Sequence, residues 1–227
     1  MVFTKGEEML KASPEQRPDA RARLLAAAER MFAEQGLAST SVRDLAREAD
    51  VNIAAVNYYF GNKENLYIET LRHSFSSARE VLPKFESILE QAKEKATSEA
   101  ALDGIRLYIE EFLSNLFAAT QQSKHVVLMA RELSSPTPAL DVIVEEFILP
   151  KQRVLLLLIQ QARPDIKDPR DLQFYASSII AQCLHHCMTL PVVLRLHKRK
   201  KVTPDFVHQI STHIANFSIA ALRGGTQ

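Results

Sequence analysis

Three prolines in this sequence each stand directly after a residue whose side chain can cap a helix. The pairs are Thr137-Pro138, Asp168-Pro169 and Thr203-Pro204. Proline is tolerated in the first turn of a helix, because the amide that it lacks has no intrahelical partner there. The pairs therefore predict helix starts near residues 138, 169 and 204. Glycine occupies only six of the 227 positions and strand-like alternation is almost absent, so the sequence predicts an all-α fold.

Apolar residues spaced three and four positions apart predict the other helices. The first helix is expected to start at Asp19 and to stop at Gly36, a residue type common just after a helix. The predicted helices that follow cover residues 42–49, 53–60, a segment opening at Lys63, and residues 99–118, 122–133, 138–162, 169–196 and 204–222. Pro150 is expected to kink one of the long helices, and Gly224-Gly225 to end the last.

The composition excludes several classes of protein. No apolar run approaches the roughly 20 residues that a membrane span needs, and the longest one runs only from Val154 to Ile159. The N-terminus has no apolar stretch typical of a secretory signal. Two cysteines do not form a disulfide framework and suit a reducing compartment, so we expect a cytoplasmic protein without a membrane partner. A net charge of +1 does not by itself indicate nucleic acid.

The segment between residues 41 and 60 has the layout of a helix-turn-helix. Ser41 and Asp44 have the spacing of a capping box at the start of a short helix. Asp50-Val51-Asn52 predicts a tight turn, and the Asn52 side chain can cap the next helix. Two short helices joined in this way, and braced by a longer preceding helix, form the motif that places a recognition helix in the major groove of DNA.

The second short helix carries residues that suit contact with DNA. Ala54-Ala55 is small enough to let the helix backbone enter the major groove, and the Asn57 amide can pair with adenine. Tyr58 and Tyr59 can reach phosphates through their hydroxyls. Lys63, together with the free amides at the start of the next helix, suits a phosphate. These residues predict DNA as the partner of this part of the chain.

The order of these motifs resembles the DNA-binding domain of the TetR family over about residues 19–68. The matching stretches are AAAERMFAEQG at 26–36, TSVRDLA at 40–46, VNIAAVNYYF at 51–60 and NKENL at 62–66. The resemblance implies a homodimer whose three N-terminal helices bind operator double-stranded DNA, with a regulatory ligand pocket behind them. The residues that it places on DNA are Ser41, Arg43, Ala54, Ala55, Asn57, Tyr58, Tyr59 and Lys63.

The sequence departs from the family pattern at two places. Asp50 stands where the family often has glycine, and AAVN at 54–57 stands where it often has Gly-Thr-Leu-Tyr. This form looks like a subgroup, and RELSSPTPA at 131–139 resembles the C-terminal domain of the CecR-type regulators in that subgroup. The expected protein is therefore a ligand-responsive repressor, released from a palindromic operator by a small molecule. We expect no catalytic residue, no cofactor and no bound metal.

The predicted domains follow from this reading. Residues 1–16 are expected to form a flexible arm, 17–62 the helix-turn-helix domain, and 63–227 a helical ligand-binding and dimerisation domain. Aromatic, sulfur-containing and polar side chains predict a mostly apolar effector cavity in the last of these, although each could equally pack in an ordinary core. The candidate effector residues are Tyr108, Phe112, Met129, Arg131, Phe174, Gln182 and His186. The pair Arg131-Glu132 is either buried and paired or exposed at a helix end.

Two long apolar stripes near the C-terminus predict a four-helix dimer interface. The candidate interface residues on these stripes are Ile179, Cys183, Ile210, Ile214 and Phe217. Burial of the same faces within one chain is the competing interpretation.

Cys183, His186 and Cys187 lie at helical spacing and could present three zinc ligands on one face. A closed zinc site needs a fourth ligand, which only another helix such as the one carrying His208 and His213 could supply. A helical metal-binding protein or enzyme using this face is the alternative function. A partner-binding protein without operator specificity is a third.

Overall fold

The computed structural model describes residues 19–120 and 123–224, and only the backbone at 77, 78, 119, 120 and 123–125. The described residues are helical almost throughout and contain no strand, which confirms the predicted all-α fold. The predicted arm over residues 1–16, and Gly225, lie outside the described residues.

Four helices form the N-terminal part of the fold. They are α1 (Ala20–Ser39), α2 (Val42–Glu48), α3 (Ala54–Phe60) and α4 (Lys63–Ser74). Gly36 has φ 81° and ψ 169°, outside the helical region, so α1 breaks where its stop was predicted. Asp19 caps α1 by accepting a hydrogen bond from the Arg21 amide. The three short helices after α1 begin within one residue of their predicted starts.

The middle of the chain is more segmented than its sequence predicts. It contains α5 (Ser76–Glu80), α6 (Leu82–Lys95), α7 (Ser98–Thr120), α8 (Ser123–Ser134), α9 (Ala139–Ile143), a π-helical turn (Val144–Ile148) and α10 (Leu149–Ala162). The single helix predicted over 138–162 is thus interrupted just before Pro150. The amide of Leu149 bonds to the carbonyl of Val144, five residues back. Proline has no amide to continue the ladder, and the wider turn accommodates it.

The C-terminal helices are α11 (Pro169–Met188), α12 (Leu190–Leu196) and α13 (Pro204–Gly224). The prediction of one helix over 169–196 was wrong, because α11 and α12 meet at a bend of 82°. Pro191 lies in the first turn of α12, where its ring and missing amide prevent α11 from continuing. Among the described residues no single helix is long and apolar enough to cross a membrane, and α11 with α12 has that composition only as a bent pair.

The three predicted capping residues before proline act as expected. Asp168 accepts a hydrogen bond from the Arg170 amide at 2.9 Å, and Thr203 accepts one from the Phe206 amide at 3.2 Å. The Thr137 hydroxyl accepts one from the Ala139 amide at 3.1 Å. Each side chain satisfies an amide that the first turn of a helix leaves without a partner.

Buried apolar side chains form two separate cores. The bundle core lies between α6, α7, α10, α11 and α13. The N-terminal core lies between α1, α2, α3 and α4, and it also takes in side chains from much later in the chain. Those later residues are Leu128, Ala139, Ile143 and Phe147. The N-terminal core therefore does not end at the domain boundary predicted after residue 62, because residues 123–148 (the linking segment) supply part of it.

Two contacts set the register of α7 against α10. The Gln161 side-chain amide donates to the Thr97 carbonyl at 3.1 Å. Further along, a Cβ built on Gly104 would lie 2.7 Å from Leu158 Cδ2, so glycine permits the close approach of the two helices here. The residue numbers rise along α7 while they fall along α10, so the helices are antiparallel.

Candidate nucleic-acid interface and regulatory residues

The turn between α2 and α3 is held by side chains at both ends. Arg23 of α1 donates from Nε to the Ala49 carbonyl at 2.9 Å and from Nη2 to the Asp50 carbonyl at 3.1 Å. Asp50 has φ 52°, a left-handed conformation that glycine adopts without strain and that aspartate tolerates better than most other residues. Asn52 Oδ1 accepts from the Ala54 amide at 2.8 Å, which confirms the predicted cap of α3. The spacing of the two short helices is therefore fixed by hydrogen bonds.

One face of α3 is buried and the opposite face is exposed. Val56 and Phe60 lie in the N-terminal core, whereas Ala54 and Asn57 are exposed and Ala55 is half-buried. Tyr58 has 83% of its surface exposed, and its ring meets the Tyr59 ring edge to face at 4.9 Å. The exposed face of α3 thus carries an aromatic ring and a carboxamide, while its opposite face is packed in the core. Such a face is suited to contact with a partner.

Ser41 and Arg43 are both exposed at the start of α2. The Ser41 hydroxyl accepts from the Asp44 amide at 3.1 Å and donates to the Asp44 carboxylate at 2.6 Å. This second bond, with help from Arg47, holds the pKa of Asp44 below its usual value. Arg43 is exposed and makes no hydrogen bond within the described part of the chain. Its guanidinium is therefore available to a partner.

Lys63 has a different environment from the one expected of a phosphate-binding residue. Its ammonium donates to the carbonyls of Leu37 at 2.9 Å and Thr40 at 3.1 Å. These carbonyls belong to the segment in which α1 ends, and Thr40 itself is buried with its hydroxyl on the Gly36 carbonyl at 2.8 Å. Two of the three ammonium donors thus hold α1 to α4, so Lys63 stabilises the N-terminal part whatever else it contacts.

Arg131 lies against the N-terminal helices rather than in an effector cavity. Its guanidinium donates from Nε to the Ala33 carbonyl at 2.9 Å and from Nη2 to the Glu34 carbonyl at 2.7 Å. Gly36 lies two residues after Glu34, and a Cβ there would lie 3.1 Å from Arg131 Nη1. The prediction of Arg131 as an effector anchor is therefore corrected. The sequence shows an arginine in an apolar stretch but not that carbonyls of α1 accept its hydrogen bonds.

Glu132 is 1% exposed. Of the two alternatives for the Arg131-Glu132 pair, burial with polar partners is therefore the one that Glu132 adopts. Its carboxylate accepts from the Tyr67 hydroxyl at 2.6 Å and from the Thr137 amide and hydroxyl at 3.1 Å each. Burial, together with the bond to Glu132, raises the pKa of Tyr67, so the phenol stays protonated and donates. Adjacent residues of α8 thus bind α1 and α4.

A third polar contact joins the linking segment to α4. Arg72 of α4 pairs with Glu146 of the π-helical turn at 2.7 Å and with Glu69 at 2.7 Å. Arg79 pairs with the other carboxylate oxygen of Glu146. Arg21 of α1 reaches Glu69 at 3.2 Å, which extends the charged chain to the first helix. Ion pairs between residues this distant in the chain carry no local signal in the sequence.

The other predicted effector residues do not line one cavity. Phe174 is 69% exposed on α11, so within the single chain it lies at the surface and not in an enclosed cavity. Gln182 donates to the Ser178 carbonyl at 3.2 Å and the Ser218 hydroxyl at 3.4 Å, between α11 and α13. Met129 packs against the N-terminal core. Tyr108 lies in the bundle core with Phe112 stacked on it at 6.0 Å between ring centroids.

Four of the five predicted interface residues are buried within the single chain. Ile179, Cys183, Ile210 and Ile214 all belong to the bundle core, which corrects their assignment to a dimer contact. An apolar stripe along a helix predicts that this face is buried, but it does not tell whether the same chain or a second chain buries it. Phe217 is 62% exposed and points away from that core.

The Cys183, His186 and Cys187 face does not form a metal site in the described residues, where no group of three or more His, Cys, Asp or Glu is placed to hold an ion. His186 Nδ1 lies 2.9 Å from the Gln182 carbonyl, so this ring nitrogen is within hydrogen-bond distance of the backbone of its own helix. Burial raises the pKa of Cys183 to about 12 and that of Cys187 to about 11, so both stay thiols. The structure gives no support to the alternative of a metal-binding protein or enzyme using this face.

The walls of two clefts on the described surface contain no predicted effector residue. A cleft of about 410 Å³ separates the end of α7 from the start of α13 and has mixed apolar and polar walls. A second, of about 460 Å³, lies beside the end of α3. Its walls include Tyr59, Arg21 and Arg72, whose charges are paired with Glu69 or Glu146.

An all-α protein with an N-terminal helix-turn-helix and a separate helical bundle belongs to the class of helix-turn-helix regulators. Residues 24–70 match the family of bacterial regulatory proteins of the tetR type. Residues 101–222 match the C-terminal domain of the HTH-type transcriptional dual regulator CecR. The second match covers more than half of the chain, so the chain belongs to the TetR family and carries a C-terminal domain of the CecR type.

Individual relatives agree with this assignment. The chain is 33% identical over 144 residues to the HTH-type transcriptional dual regulator CecR of Shigella flexneri, covering 62% of this chain and 63% of that protein. It is 24% identical over 139 residues to the probable HTH-type transcriptional regulator YttP of Bacillus subtilis strain 168, covering 61% and 62%. The matched regions therefore span less than two thirds of these relatives.

Solved structures share the fold at lower identity. The transcriptional regulator FadR from Bacillus subtilis, in complex with stearoyl-CoA, has a TM-score of 0.57 and 20% identity, covering 91% of this chain and 99% of that one. A SmeT–triclosan complex has a TM-score of 0.54 and 17% identity, covering 89% and 90%. At these identities the comparison concerns the fold alone.

Proposed function

We propose that this protein is a dimeric, cytoplasmic transcriptional repressor that binds a palindromic operator and is released from it by a small molecule. The observation that carries the proposal is α3, which is anchored by Val56 and Phe60 and presents Asn57 and Tyr58 to solvent. A helix of this shape fits the major groove of DNA, where a carboxamide reads adenine. The CecR relative, a transcriptional regulator, supports a role that is not enzymatic.

The exposed residues divide into base-reading and backbone-binding groups. Asn57 is proposed to read a base, and Ala54 with Ala55 to let the backbone of α3 approach the groove. Ser41, Arg43, Tyr58 and Tyr59 carry donors that suit phosphate oxygens on either side. Lys63 keeps one ammonium donor beyond its two bonds to carbonyls, and that donor is proposed to meet a phosphate.

A dimer is proposed through the outer faces of α11 and α13. Phe174 and Met188 on α11 and Phe217 on α13 have 61–69% of their surfaces exposed. Large apolar side chains this exposed on neighbouring helices are typical of a covered interface. Two chains packed through these helices would form the four-helix arrangement that the sequence predicts, with Phe217 as the one predicted interface residue that is free to take part.

Release by an effector needs a connection between the bundle and α3. The linking segment offers one, because Arg131 and Glu132 bind α1 and α4 while α7 and α10, on either side along the chain, belong to the bundle core. A ligand that favours one arrangement of the bundle would shift α1 and α4 with it. The relatives solved with stearoyl-CoA and triclosan support a small-molecule effector.

Selection of bound fragments from the host's genomic DNA tests the proposal. We expect enrichment of fragments carrying a partial palindrome whose half-sites are centred about 34–36 Å apart, one turn of the double helix. Footprinting of the enriched fragment should protect both half-sites. Equal retention of random and genomic duplex at physiological salt would instead favour a protein without operator specificity.

Asn57→Ala is expected to weaken binding to the selected operator by about 1–3 kcal/mol and to relax preference at one base pair, since the amide is the base-reading group. Arg43→Met is the comparison, because Arg43 is exposed and the loss of its proposed phosphate contact should weaken all sequences alike and reduce the salt slope by about one unit. Binding isotherms on operator and random duplex at several salt concentrations separate the two. Equal loss on both duplexes for Asn57→Ala would contradict its role as a base reader.

A further inference from the structure

The hydroxyl of Tyr108 is buried in the bundle core without a hydrogen-bond partner among the described residues. The side chain is 1% exposed and packs against Phe85 at 4.8 Å between ring centroids. A buried hydroxyl that makes no hydrogen bond destabilises the folded chain, because it has lost its bonds to water. A phenylalanine would fill the same space without this cost. The hydroxyl therefore has a role that packing does not explain.

Lys151, near the start of α10, is a second polar group whose placement is unfavourable. It is half-buried and has neither a hydrogen bond nor an ion pair to the residues that the structure describes. Burial lowers the pKa of its ammonium, and no neighbouring carboxylate offsets that effect. A partly buried lysine without a counter-ion carries a desolvation cost that nothing among the described residues offsets.

The two groups lie at the same level of the bundle. The contacts of Thr97 with Gln161 and of Gly104 with Leu158 set the antiparallel register of α7 and α10. Two helical turns further along both helices, Lys151 comes level with the turn of α7 that contains Tyr108. Cys183 of α11 is buried in the same core as Tyr108, and its thiol, after burial itself, contributes to raising the pKa of Tyr108. The α7 and α11 helices therefore both line the core around Tyr108, and α10 brings Lys151 to the same level.

Both acidic residues on this turn of α7 face other side chains, and Glu110 lies 3.6 Å from His208 Nδ1 of α13. Glu111 of α7 accepts from Lys84 at 3.1 Å and from the Asn115 amide at 2.9 Å. It is therefore not the counter-ion of Lys151. Phe112 stacks on Tyr108 and is only half-buried, so it lies at the edge of the core where a ligand would enter.

We propose that Tyr108 and Lys151 form the polar end of a closed effector site between α7, α10 and α11, and that the effector is an apolar carboxylate. The carboxylate would pair with the Lys151 ammonium and accept a hydrogen bond from the Tyr108 hydroxyl, so both groups gain the partner they lack. The apolar body would pack against Phe85 and Phe112 after displacing contacts among them. This inference rests on the proposed effector-released function and names the chemistry of the effector.

Thermal unfolding with a defined panel of probes tests the site without DNA. Benzoate, phenylacetate and octanoate are compared with benzyl alcohol, 2-phenylethanol and octanol, which have similar bodies and no charge. At least one of the three carboxylates should raise the melting temperature of the wild-type protein by roughly 5 °C near saturation, and its neutral counterpart should not. A panel that leaves the melting temperature unchanged overturns the proposal.

Three variants make the test specific to these residues. Lys151→Met should abolish the response to the active carboxylate. Tyr108→Phe should raise about tenfold the carboxylate concentration that gives half of the full rise in melting temperature. Both variants should be at least as stable as the wild type without ligand. Lys95→Met, an exposed lysine at the other end of the bundle, should keep the full response. A wild-type response in Lys151→Met would overturn the assignment.

Operator binding separates this inference from the function on which it rests. If the active carboxylate also releases the selected operator, the site is that of the effector. If a genomic operator is bound but no carboxylate stabilises the protein, the effector chemistry is wrong and the regulator stands. If no genomic fragment is selected, the proposed function fails, and thermal stabilisation still reports on the site.

Discussion

Ile214→Asp will unfold the chain, whereas Phe217→Asp will give a folded monomer. The two residues are one helical turn apart on α13, yet Ile214 is 1% exposed in the bundle core and Phe217 is 62% exposed. A carboxylate without a partner in the core costs several kcal/mol, a large part of the roughly 5–15 kcal/mol that stabilises a typical domain. At position 217 the carboxylate stays hydrated in the monomer and meets its symmetric copy only in a dimer.

Circular dichroism and sedimentation velocity distinguish these outcomes. Ile214→Asp should lose helical signal or melt far below the wild type, and Phe217→Asp should melt cooperatively but sediment as a monomer at micromolar concentration. Phe217→Ser removes the apolar ring without adding a charge. Its association should therefore be weaker than that of the wild type and stronger than that of Phe217→Asp. A Phe217→Asp protein that remains dimeric would place the interface elsewhere.

Glu132→Ala is expected to lower the free energy of unfolding by about 2–5 kcal/mol, because it leaves the buried Tyr67 hydroxyl and the half-buried Thr137 amide without an acceptor. Tyr67→Phe removes only one donor to the carboxylate and should cost less, about 1–3 kcal/mol. Glu94→Ala, at an exposed position of α6, should change stability by less than about 0.5 kcal/mol. Urea titration of the three variants measures the differences.

The same variants should also affect DNA binding through α4. Since Glu132 holds α4 against α8, its loss should weaken operator affinity beyond the effect of stability alone when measured well below the melting temperature. An Ala variant that unfolds like the wild type would show that water replaces the lost acceptor and that the buried contact contributes little.

Local signals in the sequence predicted local structure well. The caps at Thr137, Asp168 and Thr203, the stop at Gly36 and the turn at Asp50 each depend on a few neighbouring residues, and the structure confirms them. The break between α11 and α12 was also encoded locally, by Pro191, but the apolar periodicity on both sides suggested a continuous helix.

Long-range arrangement was harder to predict for a physical reason. Apolar periodicity gives the buried face of a helix but not the identity of its neighbour, so Ile179 and Ile214 were assigned to a second chain instead of their own core. Arg131 was assigned to a ligand for the same reason, although carbonyls nearly a hundred residues earlier accept its hydrogen bonds. The exposed residues of α3 were predicted from the motif, and their contact with DNA stays a prediction.

The linking segment has a consequence for exchanging parts between relatives. Leu128, Ile143 and Phe147 complete the core beneath the helix-turn-helix, although they follow it by more than fifty residues. A hybrid joined after residue 62 would therefore combine the helix-turn-helix of one parent with the core side chains of residues 123–148 from another parent. Only hybrids that also transfer residues 123–148 would keep the native neighbours of the helix-turn-helix core, so the unit that can be exchanged intact is discontinuous in the sequence.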